Sequence, residues 1–180
     1  YTKKQLKHLI DEEIKNAKAG KEAYIKLKMN NITSYKMIDK LYEASRAGVK
    51  IQMIVRGICC LVPGIEGMSE NIEVISIVDK FLEHPRLFIF GNGGTPKVYI
   101  SSADWMTRNI SFRVEVGCPI YDENIKQELI DTFEISWADN VKARIINQAQ
   151  NNIYKHNNKP LLRSQVALYD YYLAKNKVTE

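Results

Sequence analysis

Residues 22–56 constrain the fold more than any other part of the chain. Residues 22–29 (EAYIKLKM) set Tyr24, Ile25, Leu27 and Met29 against Lys26 and Lys28, the period of a strand with two lysines on one face; a solvated face is the ordinary expectation, and contact with a polyanion the alternative. Asn30-Asn31 turns the chain. Thr33 or Ser34 can cap a helix whose apolar stripe is Met37, Ile38, Leu41, Tyr42 and Ala44, and Gly48 closes it. Residues 49–55 (VKIQMIV) are β-rich, as a central buried strand is. Strand, helix and strand in so short a stretch make a βαβ unit, which predicts a parallel pair.

The flanking segments extend this unit. Residues 4–19 place Leu6, Leu9, Ile10, Ile14 and Ala17 at helical spacing and end at Gly20. Residues 72–77, 87–90, 97–100 and 112–120 read as further strands. Residues 91–96 (GNGGTP) join two of them as a hairpin loop with Asn-Gly turn chemistry. Residues 124–138 are predicted helical, with Ile125, Leu129, Ile130, Phe133 and Trp137 on one face. Residues 147–158 read as a loop, and 161–174 as a last helix opened by Pro160. The expected class is α/β, a mixed sheet flanked by helices. Its core lies in about residues 20–140, with a C-terminal loop and helix over 141–180.

Composition narrows the chemistry only modestly. The 180 residues suit one domain, and 45% hydrophobic content can build a core without disulfides or metal. No apolar run approaches the ~20 residues of a membrane-spanning helix, and no signal-peptide pattern opens the chain. Without an initiator Met, the chain is expected to be a piece cut from something longer. A net charge of +5 is compatible with an anionic ligand without requiring one. Cys59, Cys60 and Cys118 form neither a CxxC pair nor a metal pattern; adjacent Cys59 and Cys60 are expected as buried thiols in a reducing, cytoplasmic compartment. No metal site is expected, since His8, His84 and His156 lack ligand spacing.

Three places carry chemistry. Arg56 leaves the carboxyl end of a buried strand and is followed by Gly57, which sets a phosphate-matching guanidinium over a crevice. A surface ion pair is the ordinary alternative. His84 and Arg86 point to one side if their segment is extended, which makes an anion-facing pair. A histidine satisfying a local carbonyl is the ordinary alternative there. Residues 101–109 (SSADWMTRN), with Asp104 and Asn109, and then Arg113 and Glu115, concentrate polar groups at strand ends, where sites and plain turns both occur. The glycines of 91–94 lack the Gly-Lys-Ser/Thr of a phosphate loop.

In order along the chain stand YIKLKMN (24–30), LYEASRAGVK (41–50), IVRGIC (54–59), FLEH (81–84), SADWM (102–106), RVE (113–115), LRSQ (162–165) and Leu168-Tyr169. Together they resemble the C-terminal catalytic domain of the bacterial polyphosphate kinases. The resemblance implies a phospholipase-D-like domain, the last of four in a longer, homo-oligomeric and cytoplasmic enzyme, with peripheral membrane association. It implies reversible transfer of the terminal phosphate of ATP to inorganic polyphosphate, with magnesium and without nucleic acid. It implies a phosphohistidine on the preceding domain, since His8 and His156 sit in no matching motif. Magnesium ligands and a nucleotide-contacting tyrosine are implied upstream as well. Arg56 matches an arginine that binds ATP phosphates, and His84 matches an assisting histidine. Arg86, Lys28 and Arg113 are weaker candidates for the wall of a polyphosphate channel.

Two other readings stay open. A phospholipase-D-type phosphodiesterase half would need His-x-Lys, four residues, then Asp; here Arg86 and Gly91 occupy those places. A non-catalytic module that binds nucleotide or polyanion fits the isolated piece.

Overall fold

The computed structural model describes residues 3–177. Lys3–Lys18 (α1) leads into Tyr24–Met29 (β1), then Tyr35–Arg46 (α2) and Lys50–Val55 (β2). The two strands pair in parallel, Ile25 opposite Ile51 and Met29 opposite Val55, as the short helical crossover dictates. Ile72–Ser76 (β3) continues the parallel side. On the other side Leu87–Phe90 (β4) runs antiparallel to β1, followed by Lys97–Ser101 (β5) and Gly117–Ile120 (β6). The strand order is β6-β5-β4-β1-β2-β3-β7, where Arg144–Ile146 (β7) closes the far edge. The sheet is therefore mixed, and β1 lies at the boundary between its parallel and antiparallel parts.

Alternation along each strand feeds two cores. Ile25, Leu27 and Met29 of β1 pack with Ile51, Met53, Phe88 and Phe90 beneath α1 and α2. Leu6, Ile10, Ile14, Met37 and Leu41 close that layer. On the opposite face Ile54, Ile75 and Ile89 meet Phe133 of Glu123–Trp137 (α4). Asp122 caps α4, its carboxylate accepting from the Asn124 and Ile125 N–H groups. Ser164–Lys177 (α5) lies outside α4, joined to it by Tyr171 to Asp131 and Thr132 to Tyr172.

The structure revises several sequence expectations. The two lysines of β1 do not face water, because α4 covers that side of the sheet: Lys26 pairs with Glu134, and Lys28 is buried. The strand expected over 112–120 begins only at Gly117; Thr107–Phe112 (α3) forms a short helix before it. β7 has no sequence signature, since three half-buried residues at an edge are too few for a period. The last helix starts at Ser164 rather than 161, because residues 161–163 stay non-helical while the Asp139 carboxylate accepts the Ser164 N–H at 2.7 Å. Cys59 is half-buried, and its thiol is pushed up to about 11 by burial, but Cys60 is exposed. The expected hairpin is present, with Asn92 and Gly93 both at positive φ (49° and 66°). Among the described residues no helix is long and apolar enough to cross a membrane.

Candidate active site

Five residues meet in one hydrogen-bonded ring at the carboxyl ends of β1 and β2. Asn30 follows β1, Arg56 follows β2, His84 and Arg86 belong to the 77–86 connection between β3 and β4, and Asp104 lies beyond β5. Arg56 Nε donates to Asn30 Oδ1 at 2.6 Å, and Arg56 Nη2 donates to His84 Nδ1 at 3.0 Å. Asn30 in turn donates to Asp104, from its backbone N–H at 2.9 Å and from Nδ2 at 3.4 Å. Arg86 completes the ring: Nε and Nη2 each reach a carboxylate oxygen of Asp104 at 3.2 Å, and Nη1 donates to the His84 carbonyl at 3.1 Å.

This geometry fixes the chemistry available. A guanidinium has no acceptor, so His84 Nδ1 must accept, and the ring proton then sits on Nε2. Arg56 Nη1 has no hydrogen-bond partner among the described residues. The site therefore presents one charged donor edge and one imidazole N–H donor, both anchored from behind. That suits an oxyanion and preorganises the donors before it arrives. Burial opposes ionisation of Asp104, but hydrogen bonds from Arg86, Asn30 and Asn31 outweigh it and hold the carboxyl below its ordinary 3.8.

Close backbone approach makes the ring possible. The Gly57 N–H donates to the Asn30 carbonyl at 2.8 Å. A Cβ on Gly57 would lie 2.9 Å from that carbonyl and 2.6 Å from Asn31 Oδ1. Gly57→Ala is therefore expected to cost about 1–3 kcal/mol of stability through overpacking. Chemical denaturation would show this as a lower midpoint; an unchanged midpoint would mean the two segments can part without penalty.

Of the sequence-predicted residues, the structure brings Arg56, His84, Arg86 and Asp104 together. Arg86 does not offer its fork to an outside anion, because Asp104 occupies it; the two side chains are only 12% and 7% exposed. Lys28 is no channel wall either. Its ammonium is buried between Glu83 and Ser136 Oγ. Asn109 sits outside the ring and donates to Glu115 at 2.6 Å, and Arg113 is exposed beyond it. The serines of 101–109 serve the turn: Ser101 Oγ accepts the Ala103 N–H at 3.0 Å, and Ser102 Oγ accepts that of Val116 at 3.0 Å. Sequence reasoning missed Asn30 as a site residue, although an amide at the end of a central strand, before a turn, is a readable signal. It also missed Glu83, whose partners are remote in sequence.

The donors do not compose a magnesium site. The ring's carboxylate and that of Glu83 are committed to cations of the chain itself, Asp104 to Arg86 and Glu83 to Lys28. Among the described residues no three His, Cys, Asp or Glu side chains gather to hold a metal ion. The phospholipase-D pattern also departs structurally at Gly91, where a Cβ would meet the Tyr24 ring at 2.8 Å and leave no room for an aspartate.

Comparison with known proteins gives the family and the fold. The family model for polyphosphate kinase C-terminal domain 2 matches residues 1–165. The polyphosphate kinase of Vibrio parahaemolyticus is 57% identical over 168 residues, 93% of this chain and 24% of its own length. That of Escherichia coli K12 is 47% identical over 171 residues, 94% of this chain and 25% of its own. The crystal structure of polyphosphate kinase from Porphyromonas gingivalis superposes with a TM-score of 0.95 at 47% identity, over 99% of this chain and 28% of that one. Nuc from Salmonella typhimurium, a phospholipase D family member, superposes at 0.54 with 12% identity, over 75% of this chain and 89% of that one, a likeness of fold alone. The chain spans about a quarter of the length of the curated relatives it matches. With its mixed, phospholipase-D-like sheet, the chain belongs to the polyphosphate kinase C-terminal domain 2 family.

Proposed function

We propose that these 180 residues are the C-terminal catalytic domain of an ATP–polyphosphate phosphotransferase, and that Arg56 and His84 are its contribution to a composite site. The contact between Arg56 Nη2 and His84 Nδ1 carries this reading, because it joins a guanidinium and an imidazole at the carboxyl ends of the central strands and leaves each with a further N–H donor. Transfer of the terminal phosphate of ATP spreads charge over equatorial oxygens, so positioned cations and donors do most of the work. Arg56 holds phosphate oxygens through its free edge. His84 donates from Nε2 to the oxygen of the leaving diphosphate and steadies the charge that develops there. The histidine that becomes phosphorylated, the magnesium ligands and the nucleotide-contacting tyrosine belong to the preceding domain in this reading.

Thermal unfolding of the 180-residue chain tests whether the half-site holds phosphate by itself. A saturating anion, present at ~100 times its dissociation constant, is expected to add about 2.7 kcal/mol. Long-chain polyphosphate and magnesium-ATP are the two ligands to use, and Arg56→Ala is expected to abolish the gain. Equal stabilisation of the variant would remove Arg56 from the phosphate site.

A further inference from the structure

Residues 77–86, which carry His84, form neither helix nor strand. Among the described residues no loop backbone hydrogen bond ties residues 78–85 to the sheet; the Ser101 N–H donates to the Arg86 carbonyl at 2.9 Å. Its shape must come from side chains. Three anchors supply it, spaced every second residue. Asp79 accepts from Arg163 Nε at 2.7 Å and Nη2 at 2.6 Å. Phe81 is gripped at both backbone groups by one amide: Gln165 Oε1 accepts its N–H at 2.9 Å, and Gln165 Nε2 donates to its carbonyl at 2.8 Å. Glu83 accepts from Gln165 Nε2 at 3.0 Å and from the buried Lys28. All three anchors therefore involve residues 163–165, where α5 begins, and Glu83 is held by Lys28 besides.

The placement of these anchors has one reading. Lys28 and Gln165 meet on Glu83, the residue before His84, and Arg86 holds the His84 carbonyl from the other side. The imidazole is exposed, so packing does not fix it. We propose that Gln165 is a positioning residue for His84: it sets the 77–86 connection so that the imidazole stays on Arg56, and it touches no substrate. The inference rests on the role given above to His84.

The test is a double-mutant cycle in the full-length protein that carries this domain, read as ATP-dependent polyphosphate synthesis. Gln165→Met keeps the volume and removes both hydrogen-bonding ends. It is expected to lower kcat by about 10- to 100-fold, the scale of a misplacement near 1 Å. KM for ATP should stay within about threefold, because Arg56 is untouched. In a His84→Ala background the same change is expected to cost nothing further, since a residue that acts only through His84 has nothing left to position. Losses that multiply in the double variant would overturn the proposal, as would full activity of Gln165→Met. An unaltered rate for His84→Ala by itself would instead remove the underlying role of His84, so the two failures are distinguishable. A Tm within about 2 °C of wild type confirms that each variant is folded.

Discussion

Arg56→Ala in the full-length protein is expected to slow polyphosphate synthesis from ATP by about 10²–10³-fold. The guanidinium has two edges engaged, one on Asn30 Oδ1 and one on His84 Nδ1, and a third left for phosphate. Truncation removes the charged donor and also releases the imidazole from its tautomer, so the two donors fail together. Lysine is not expected to restore the rate: an ammonium is a point charge that cannot hold Asn30, His84 and a phosphate in one plane. The fold should survive, because Arg56 lies at a strand end outside both cores. Steady-state kinetics with a melting curve for each variant would check this. Synthesis at the normal rate by a folded Arg56→Ala protein would sink the assignment of this arginine to the reaction.

Asp104→Ala is expected to be the most damaging change to stability, at about 3–5 kcal/mol. The carboxylate is buried at 5% exposure and is the common acceptor for Arg86, Asn30 and Asn31. Its removal strands the Arg86 charge and the Asn30 and Asn31 backbone N–H groups together. The milder Asp104→Asn separates charge from shape and carries a pH signature. The folded-state carboxyl titrates below its ordinary 3.8, so its stabilisation is complete above that value and is lost as pH falls through the folded one. Denaturant midpoints for wild type and Asp104→Asn should therefore differ near neutrality and converge as pH falls below the ordinary 3.8 and through the folded-state value. A gap that stays constant over that range would mean the charge contributes nothing and only the shape matters.

The parallel β1–α2–β2 unit was legible because each piece carries its own period, alternating in the strands and helical between them. Arg56 and His84 could be singled out as candidates because each stands in a short motif that carries the family resemblance, and the structure brings the two side chains together. The ring that joins them was not. Arg86 and Asp104 are 18 residues apart and Lys28 and Glu83 are 55 apart, and nothing local records such pairing. The same blindness put Lys28 in a channel and Arg86 on an anion, when each is neutralised inside the protein. Lys26 and Lys28 read as a water-facing pair because alternation tells which residues share a face; it does not tell whether a helix lies over it. The error over 112–120 was of another kind: a short helix of mixed polarity, Thr107–Phe112, has too few turns to show its period.

The ring has a consequence for net charge. Arg86 cancels Asp104, and Lys28 cancels Glu83, so each buried pair is electrically silent. Arg56 has no carboxylate partner among the described residues, which leaves this face with one unopposed positive charge. A triphosphate or a polyphosphate chain carries several negative charges, and one guanidinium cannot balance them. In the proposed reading, most of the compensating charge therefore comes from groups beyond this ring.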